Sequence, residues 1–165
     1  MKPRLLIAGI GNVFLGDDAF GVHVVRRLAE RALPDSVCVR DYGIRGLDLA
    51  FALSDGYEGA VLVDATSRGS PPGTLYVIEP CVDDAPAEYQ PFLVETHNMD
   101  PVTVLQLARA MGGRLPWLRL VGCEPATVDE CMELSSVAQA SIDGAVELIE
   151  GLVSEFFAGV EATRP

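Results

Sequence analysis

The sequence predicts an α/β fold: a three-layer sandwich with a mostly parallel five-stranded sheet, one antiparallel strand, and helices on both faces. Three observations carry this. Short apolar runs alternate with stretches of helical periodicity from end to end. The runs are continuous, as expected of strands covered on both faces, and do not alternate apolar with polar. The chain has 165 residues, 49% hydrophobic and 22% charged, enough for one core and too few for two comfortable ones. A single domain over residues 1–165 is therefore expected.

The first strand is expected over Arg4 to Ile10 (RLLIAGI), with Gly11 to Gly16 as a loop. Asp17 or Asp18 stands where a helix N-cap would, ahead of Phe20, Val24, Val25 and Leu28 at helical spacing. Pro34 and Asp35 end that helix. Val37 to Tyr42 reads as the second strand, Gly43 to Gly46 as a turn, and Leu47 to Ser54 as a short helix. Ala60 to Ala65 (AVLVDA) is a third buried strand that closes on a carboxylate. The turn cluster Ser67 to Gly73 (SRGSPPG) leads to a fourth strand, Thr74 to Glu79. That connection is shorter than the dozen or so residues a parallel crossover needs, so strands three and four are expected to be antiparallel neighbours. The acidic, proline-bearing stretch from Pro80 to Thr96 reads as a surface loop. A helix over Pro101 to Met111, a fifth strand over Leu118 to Gly122, and a long helix capped by Ser135 and running to Phe157 complete the chain.

Composition narrows the function. Lys and Arg total 12 against 24 Asp and Glu, a formal net charge of -12, and Lys2 is the only lysine. Nucleic-acid binding depends on cationic side chains displacing counterions from phosphates, so it is not expected here. No stretch approaches the ~20 apolar residues of a membrane span. Cys38, Cys81, Cys123 and Cys131 form no CxxC pair, and no secretory h-region opens the chain. The expectation is a soluble cytoplasmic protein with reduced thiols.

The chemistry-bearing residues sit where parallel strands end, the usual place for functional groups in such sheets. Asp18 follows the first strand's glycine loop, Asp41 ends the second strand, and Asp64 ends the third. His97 lies in the loop before the third helix. A carboxylate at a buried strand end costs free energy unless it is paired or ligated. For Asp64 a turn role, bonded to nearby amides, stands beside the functional one. A loop histidine alone is usually just solvated. With two strand-end carboxylates, however, His97 completes a one-His, two-carboxylate set suited to zinc, nickel or a similar ion. His23 reads as a partly exposed helix residue. The chain has no GxSxG elbow, and no cysteine lies in a motif that would activate it. The Gly9-Ile10-Gly11 pair is no dinucleotide fingerprint, because Phe14 stands where the third glycine is needed.

Gly9-Ile10-Gly11-Asn12 through Gly16-Asp17-Asp18-Ala19-Phe20-Gly21-Val22 resembles the N-terminal signature of the hydrogenase maturation endopeptidases. Asp41-Tyr42-Gly43-Ile44-Arg45-Gly46 resembles the family's second-strand segment, and Val63-Asp64-Ala65 its third-strand aspartate. Pro72-Gly73-Thr74, Thr96-His97-Asn98 and Leu120 to Pro125 follow in the family's order, so the likeness spans residues 4–127. The resemblance implies an endopeptidase, described as aspartyl-type, that removes a C-terminal peptide from the nickel-loaded precursor of a [NiFe] hydrogenase large subunit. Asp18, Asp64 and His97 then fall on the family's metal-contacting positions, the same trio collected above. Asp18 is a glutamate in some members, so its carboxylate is here one methylene shorter. The nickel is implied to arrive with the precursor, with zinc or cadmium able to substitute in vitro. Asn12 and the amides around Gly11 are oxyanion candidates, with a turn role for Asn12 as the alternative. Asp41, Gly43 and Gly46 are expected along the peptide groove. The expected partner is the precursor alone, met by a monomer. Two rivals stand beside this reading: a chaperone that docks on the precursor without cutting, and a peptidyl-tRNA-hydrolase-like enzyme, which the charge of -12 disfavours.

Overall fold

In chain order the elements are β1 (Leu5–Ile10), a 3-10 turn (Gly16–Ala19), α1 (Phe20–Leu28), β2 (Val37–Gly43), α2 (Gly46–Leu53), β3 (Gly59–Ala65), β4 (Leu75–Ile78), α3 (Pro101–Ala110), β5 (Trp117–Cys123) and α4 (Ser136–Ala162). They come from a computed structural model that describes residues 4–80, 100–114 and 117–162. The elements form one five-stranded sheet of order β2-β1-β3-β5-β4. β1 pairs in parallel with β2 and β3, β3 pairs in parallel with β5, and β4 runs antiparallel to β5. The expected α/β architecture, with its single antiparallel strand, is what the chain adopts.

One neighbour differs from expectation. β4 lies beside β5 and not beside β3. Its direction is the expected one, because the short connection does reverse the chain. Its nine residues, 66–74, nevertheless step over one strand position, and β5 later fills the slot between β3 and β4. Slots are about 4.8 Å apart, so such a step is well within the reach of nine residues.

The alternation of side chains along the central strands builds two cores. Leu5 and Ile7 of β1 and Val61 and Val63 of β3 point to the face that carries α1 and α4, where Phe20, Val24, Leu28, Ile149 and Phe156 meet them. Leu6, Ala8, Ala60 and Leu62 point to the opposite face and pack with Leu49 and Leu53 of α2 and Val104 and Leu105 of α3. β1 is buried along its whole length, which is why its sequence is an unbroken apolar run. Each fully buried large side chain here contributes ~1.5–3 kcal/mol by burial.

The helix ends follow local chemistry. Asp100 caps α3, accepting from Thr103 N at 2.9 Å, with Pro101 just inside the helix. Ser135 caps α4 as expected, its hydroxyl accepting from Ala138 N at 3.3 Å. α4 continues past Phe157 because Val160 still packs on the core. α1 departs from expectation: its N-cap is Ala19, with no side-chain cap bond. Asp17 and Asp18 belong instead to the preceding 3-10 turn. No described helix is long and apolar enough to cross a membrane.

Candidate functional site

Because β1, β2, β3 and β5 are mutually parallel, their carboxyl ends share one edge of the sheet. The register places Asp41 opposite Gly9 on one side of β1 and Val63, adjoining Asp64, opposite Gly9 on the other. Two glycines let the chain close on itself here. Gly11 has φ +139, and a Cβ there would collide with the Asp18 carbonyl; a Cβ on Gly21 would strike the carbonyl oxygens of Val63 and Ile10. α1 therefore seats directly on β1 and β3, and the turn that precedes it packs against β3.

Asp64 is the buried member of the site, with 9% of its surface exposed. Its hydrogen bond is local: Oδ1 accepts from the Ala65 amide at 2.8 Å. Burial raises its carboxyl pKa well above the ordinary value, and the charges of Asp18 and then Asp100 raise it further against that one amide bond. A buried carboxyl under the charge of a second carboxylate is a set that a divalent cation would relieve, and the donor chemistry fits zinc or nickel. Asp18 is held at the rim of this pair by the Asn12 amide, which donates to Oδ2 at 2.8 Å.

Asp17, which the sequence leaves interchangeable with Asp18, faces the other way and is fully buried. Its Oδ2 accepts from Ala126 N at 2.8 Å, Thr127 N at 3.4 Å and Ser135 Oγ at 2.7 Å, while Oδ1 accepts from Ser135 N at 2.7 Å. Burial pushes this carboxyl up, but the bonds from Ser135, Ala126 and Thr127 outweigh it, and the pKa is lowered. Glu124 is a second buried carboxylate without a role in the sequence reading. It accepts from Tyr76 Oη at 2.6 Å, Arg68 N at 2.8 Å and Gly69 N at 3.3 Å, which ties the segment after β3 to the end of β5. The Tyr76 hydroxyl, then the Arg68 amide, holds its pKa below the usual range. Sequence reasoning missed both anchors because their donors, backbone amides and the hydroxyls of Ser135 and Tyr76, come from segments distant in the chain that only the fold brings in.

The other expected residues are placed as follows. Asn12 makes a turn: its Oδ1 accepts from Phe14 N at 2.9 Å. The amides expected to serve an oxyanion are already committed, Gly11 N to Gly43 O at 3.0 Å and Asn12 N to Asp18. Asp41 pairs with Arg26 at 3.0 Å, while its carbonyl accepts from Arg45 at 2.6 Å. Gly43 takes φ +54 at the end of β2, and Gly46 opens α2. His23 is half-buried on α1, its pKa lowered by burial and by Arg26. His97 lies outside the described residues, as does Cys81. Among the described residues no three His, Cys, Asp or Glu side chains stand close enough to hold one ion. Burial pushes the Cys123 thiol up to about 11, so it is no nucleophile near neutral pH.

Comparison with known proteins places this architecture. A family model described as HycI, hydrogenase maturation protease, matches residues 22–152. The hydrogenase 2 maturation protease of Escherichia coli is 30% identical over 161 residues, covering 96% of this chain and 94% of that protein. The hydrogenase expression/formation protein HupD of Rhodobacter capsulatus is 37% identical over 131 residues, covering 78% of this chain but 61% of HupD. The structure of the hydrogenase maturating endopeptidase HybD from E. coli superposes with a TM-score of 0.74 at 29% identity, over 92% of this chain and 93% of that one. The family model, the relatives and the shared fold agree, and the chain belongs to the hydrogenase maturation protease family, a family of peptidases.

Proposed function

We propose that this chain is an endopeptidase that removes the C-terminal peptide from a [NiFe] hydrogenase large-subunit precursor, and that it recognises the nickel the precursor carries. Asp18, Asp64 and His97 supply the contacts to that metal. The observation that carries the reading is the buried Asp64, acted on by the charges of Asp18 and Asp100. Asp100, whose charge acts on Asp64, follows His97 by three residues in the sequence, which supports assigning the histidine to the same site. Anchoring through the precursor's own metal holds the scissile bond in position and turns a poor encounter into an oriented one. A carboxylate of the pair is then placed to accept a proton from the attacking water. Asp41 and Gly43 at the end of β2 and Gly46 at the start of α2 border the peptide path, together with Asn12. The net charge of -12 favours a protein partner over a polyanion, and the enzyme works as a soluble cytoplasmic monomer built as one domain.

The test is incubation of the purified chain with nickel-loaded and nickel-free precursor, followed by mass spectrometry. Loss of a C-terminal peptide from the loaded form only, abolished by His97→Ala with thermal stability shifted by no more than about 0.5 kcal/mol, is expected. Binding without any shortening would instead identify a chaperone.

A further inference from the structure

We propose that Asp17 is the positioning residue for Asp18: it clamps the turn that carries Asp18 onto the β5–α4 segment, so that the start of α4 sets where the site's carboxylate stands. The inference rests on the reading of Asp18 as a metal contact. It is carried by a set of bonds that converge on four residues. Asp17 Oδ1 and Oδ2 take both the amide and the hydroxyl of Ser135, and Oδ2 also takes the amides of Ala126 and Thr127. The backbone of the turn repeats the attachment: Gly16 N donates to Cys131 O at 2.7 Å, Asp17 N to Thr127 O at 3.0 Å, and Cys131 N to Phe14 O at 3.0 Å. The Ser135 hydroxyl in turn accepts from Ala138 N in the first turn of α4. A chain of contacts thus runs from α4 through Ser135 to Asp17, and one peptide bond further to Asp18.

The chemistry requires a carboxylate at this position. Each Asp17 bond comes from a donor, and Asp17 has only acceptors to offer when ionised. An asparagine of the same shape would set N–H against N–H or O–H at one of the two oxygens, and the turn would shift to separate them. On its other side the Asp18 carboxylate accepts from the Asn12 amide, and the Asp18 amide donates to Leu15 O at 3.1 Å within the same turn. A shift in the turn therefore moves the Asp18 carboxylate relative to Asp64, which is fixed by β3. A misplacement of about 1 Å is enough to cost an enzyme roughly 100-fold.

The experiment compares wild type, Asp17→Asn, Ser135→Ala and a core control, Ile149→Ala, all as full chains. Ile149 is buried on the inner face of α4 and distant in role from the site. Two readouts are taken under conditions where every variant is folded: kcat/KM on nickel-loaded precursor, and hydrogen exchange of the Asn12 amide relative to amides of β3. Asp17→Asn should lower kcat/KM at least about tenfold and cut the relative protection of Asn12 by a similar factor. Ser135→Ala, which removes the hydroxyl and keeps the amide, should do the same to a smaller extent. Ile149→Ala should lower global stability and leave both readouts within about twofold. If Asp17→Asn behaves like Ile149→Ala, the proposal is overturned. If Asp17→Asn does not fold, Ser135→Ala decides by the same criteria. If wild type cleaves no precursor, the proposed function has failed, and the Asn12 exchange alone settles the positioning role.

Discussion

Asp64 is expected to be a stability liability in the absence of a cation, and the sign of that effect can be worked out. Its pKa in the fold is raised above the ordinary value of 3.8. Folding therefore takes up a proton between that value and the raised one, and stability falls as pH rises through this window. Asp64→Asn removes the penalty. Denaturant unfolding without metal should show the variant more stable than wild type near neutral pH, by ~0.5–2 kcal/mol, with the two curves converging below about pH 4. A variant less stable than wild type at neutral pH would mean that Asp64 is satisfied by partners and is held for structure. Asp17 has the opposite sign, because its lowered pKa stabilises the fold above the carboxylate range and that contribution is lost in acid. The sequence places Asp64 at a strand end because an apolar run stops there, and Asp18 after the glycine loop that follows the first strand. It cannot separate Asp17 from Asp18. Neighbours on a 3-10 turn point about a third of a revolution apart, and which one turns inward depends on where Ser135 and Ala126 arrive from more than a hundred residues later.

At the scale of elements, the site depends on how closely α1 lies against the sheet. Gly21 is the contact point, since an added Cβ would collide with Val63 O and Ile10 O. These are backbone atoms of two central strands, so neither can move aside cheaply. Gly21→Ala should destabilise the protein by ~1–3 kcal/mol, the usual cost of overpacking, despite alanine's better helix propensity. Because the Asp18 turn leads directly into α1, cleavage should fall further than the stability loss predicts, which rates measured well below each variant's melting temperature would show. A gain in stability would mean that the helix stands off the sheet. Element identity was legible throughout the described chain because runs and periodicities differ plainly. The misplaced neighbour was β4. The length of its connection reported that the chain reverses, which is a local property. Its slot was decided by β5, which fills the space between β3 and β4 about forty residues later. No local signal encodes that.

At the scale of the whole molecule, the two cores are not independent, because successive residues of β1 and β3 serve opposite faces. Removing α2 and α3 would expose Leu6, Ala8, Ala60 and Leu62, and removing α1 and α4 would expose Leu5, Ile7, Val61 and Val63. Neither helical layer can leave without stripping the strands that the other one needs. This is the physical reason to expect one cooperative domain from a chain with two hydrophobic clusters. Trp117, the single tryptophan, reports on only one of them, with its ring 5.3 Å from Phe156 of α4. Leu53, at the end of α2, is buried in the other. If the layers unfold together, Leu53→Ala should lower the Trp117 fluorescence midpoint in denaturant although the two residues share no face of the sheet. The shift should correspond to ~2–5 kcal/mol, comparable to that of Ile149→Ala beside the tryptophan. Helix content by circular dichroism should follow the same curve in both variants. A Trp117 transition that ignores Leu53→Ala while circular dichroism breaks into two steps would show that the layers fold separately. The strand-end site, built from loops that draw on both, would then be held together by less than the continuous sheet implies.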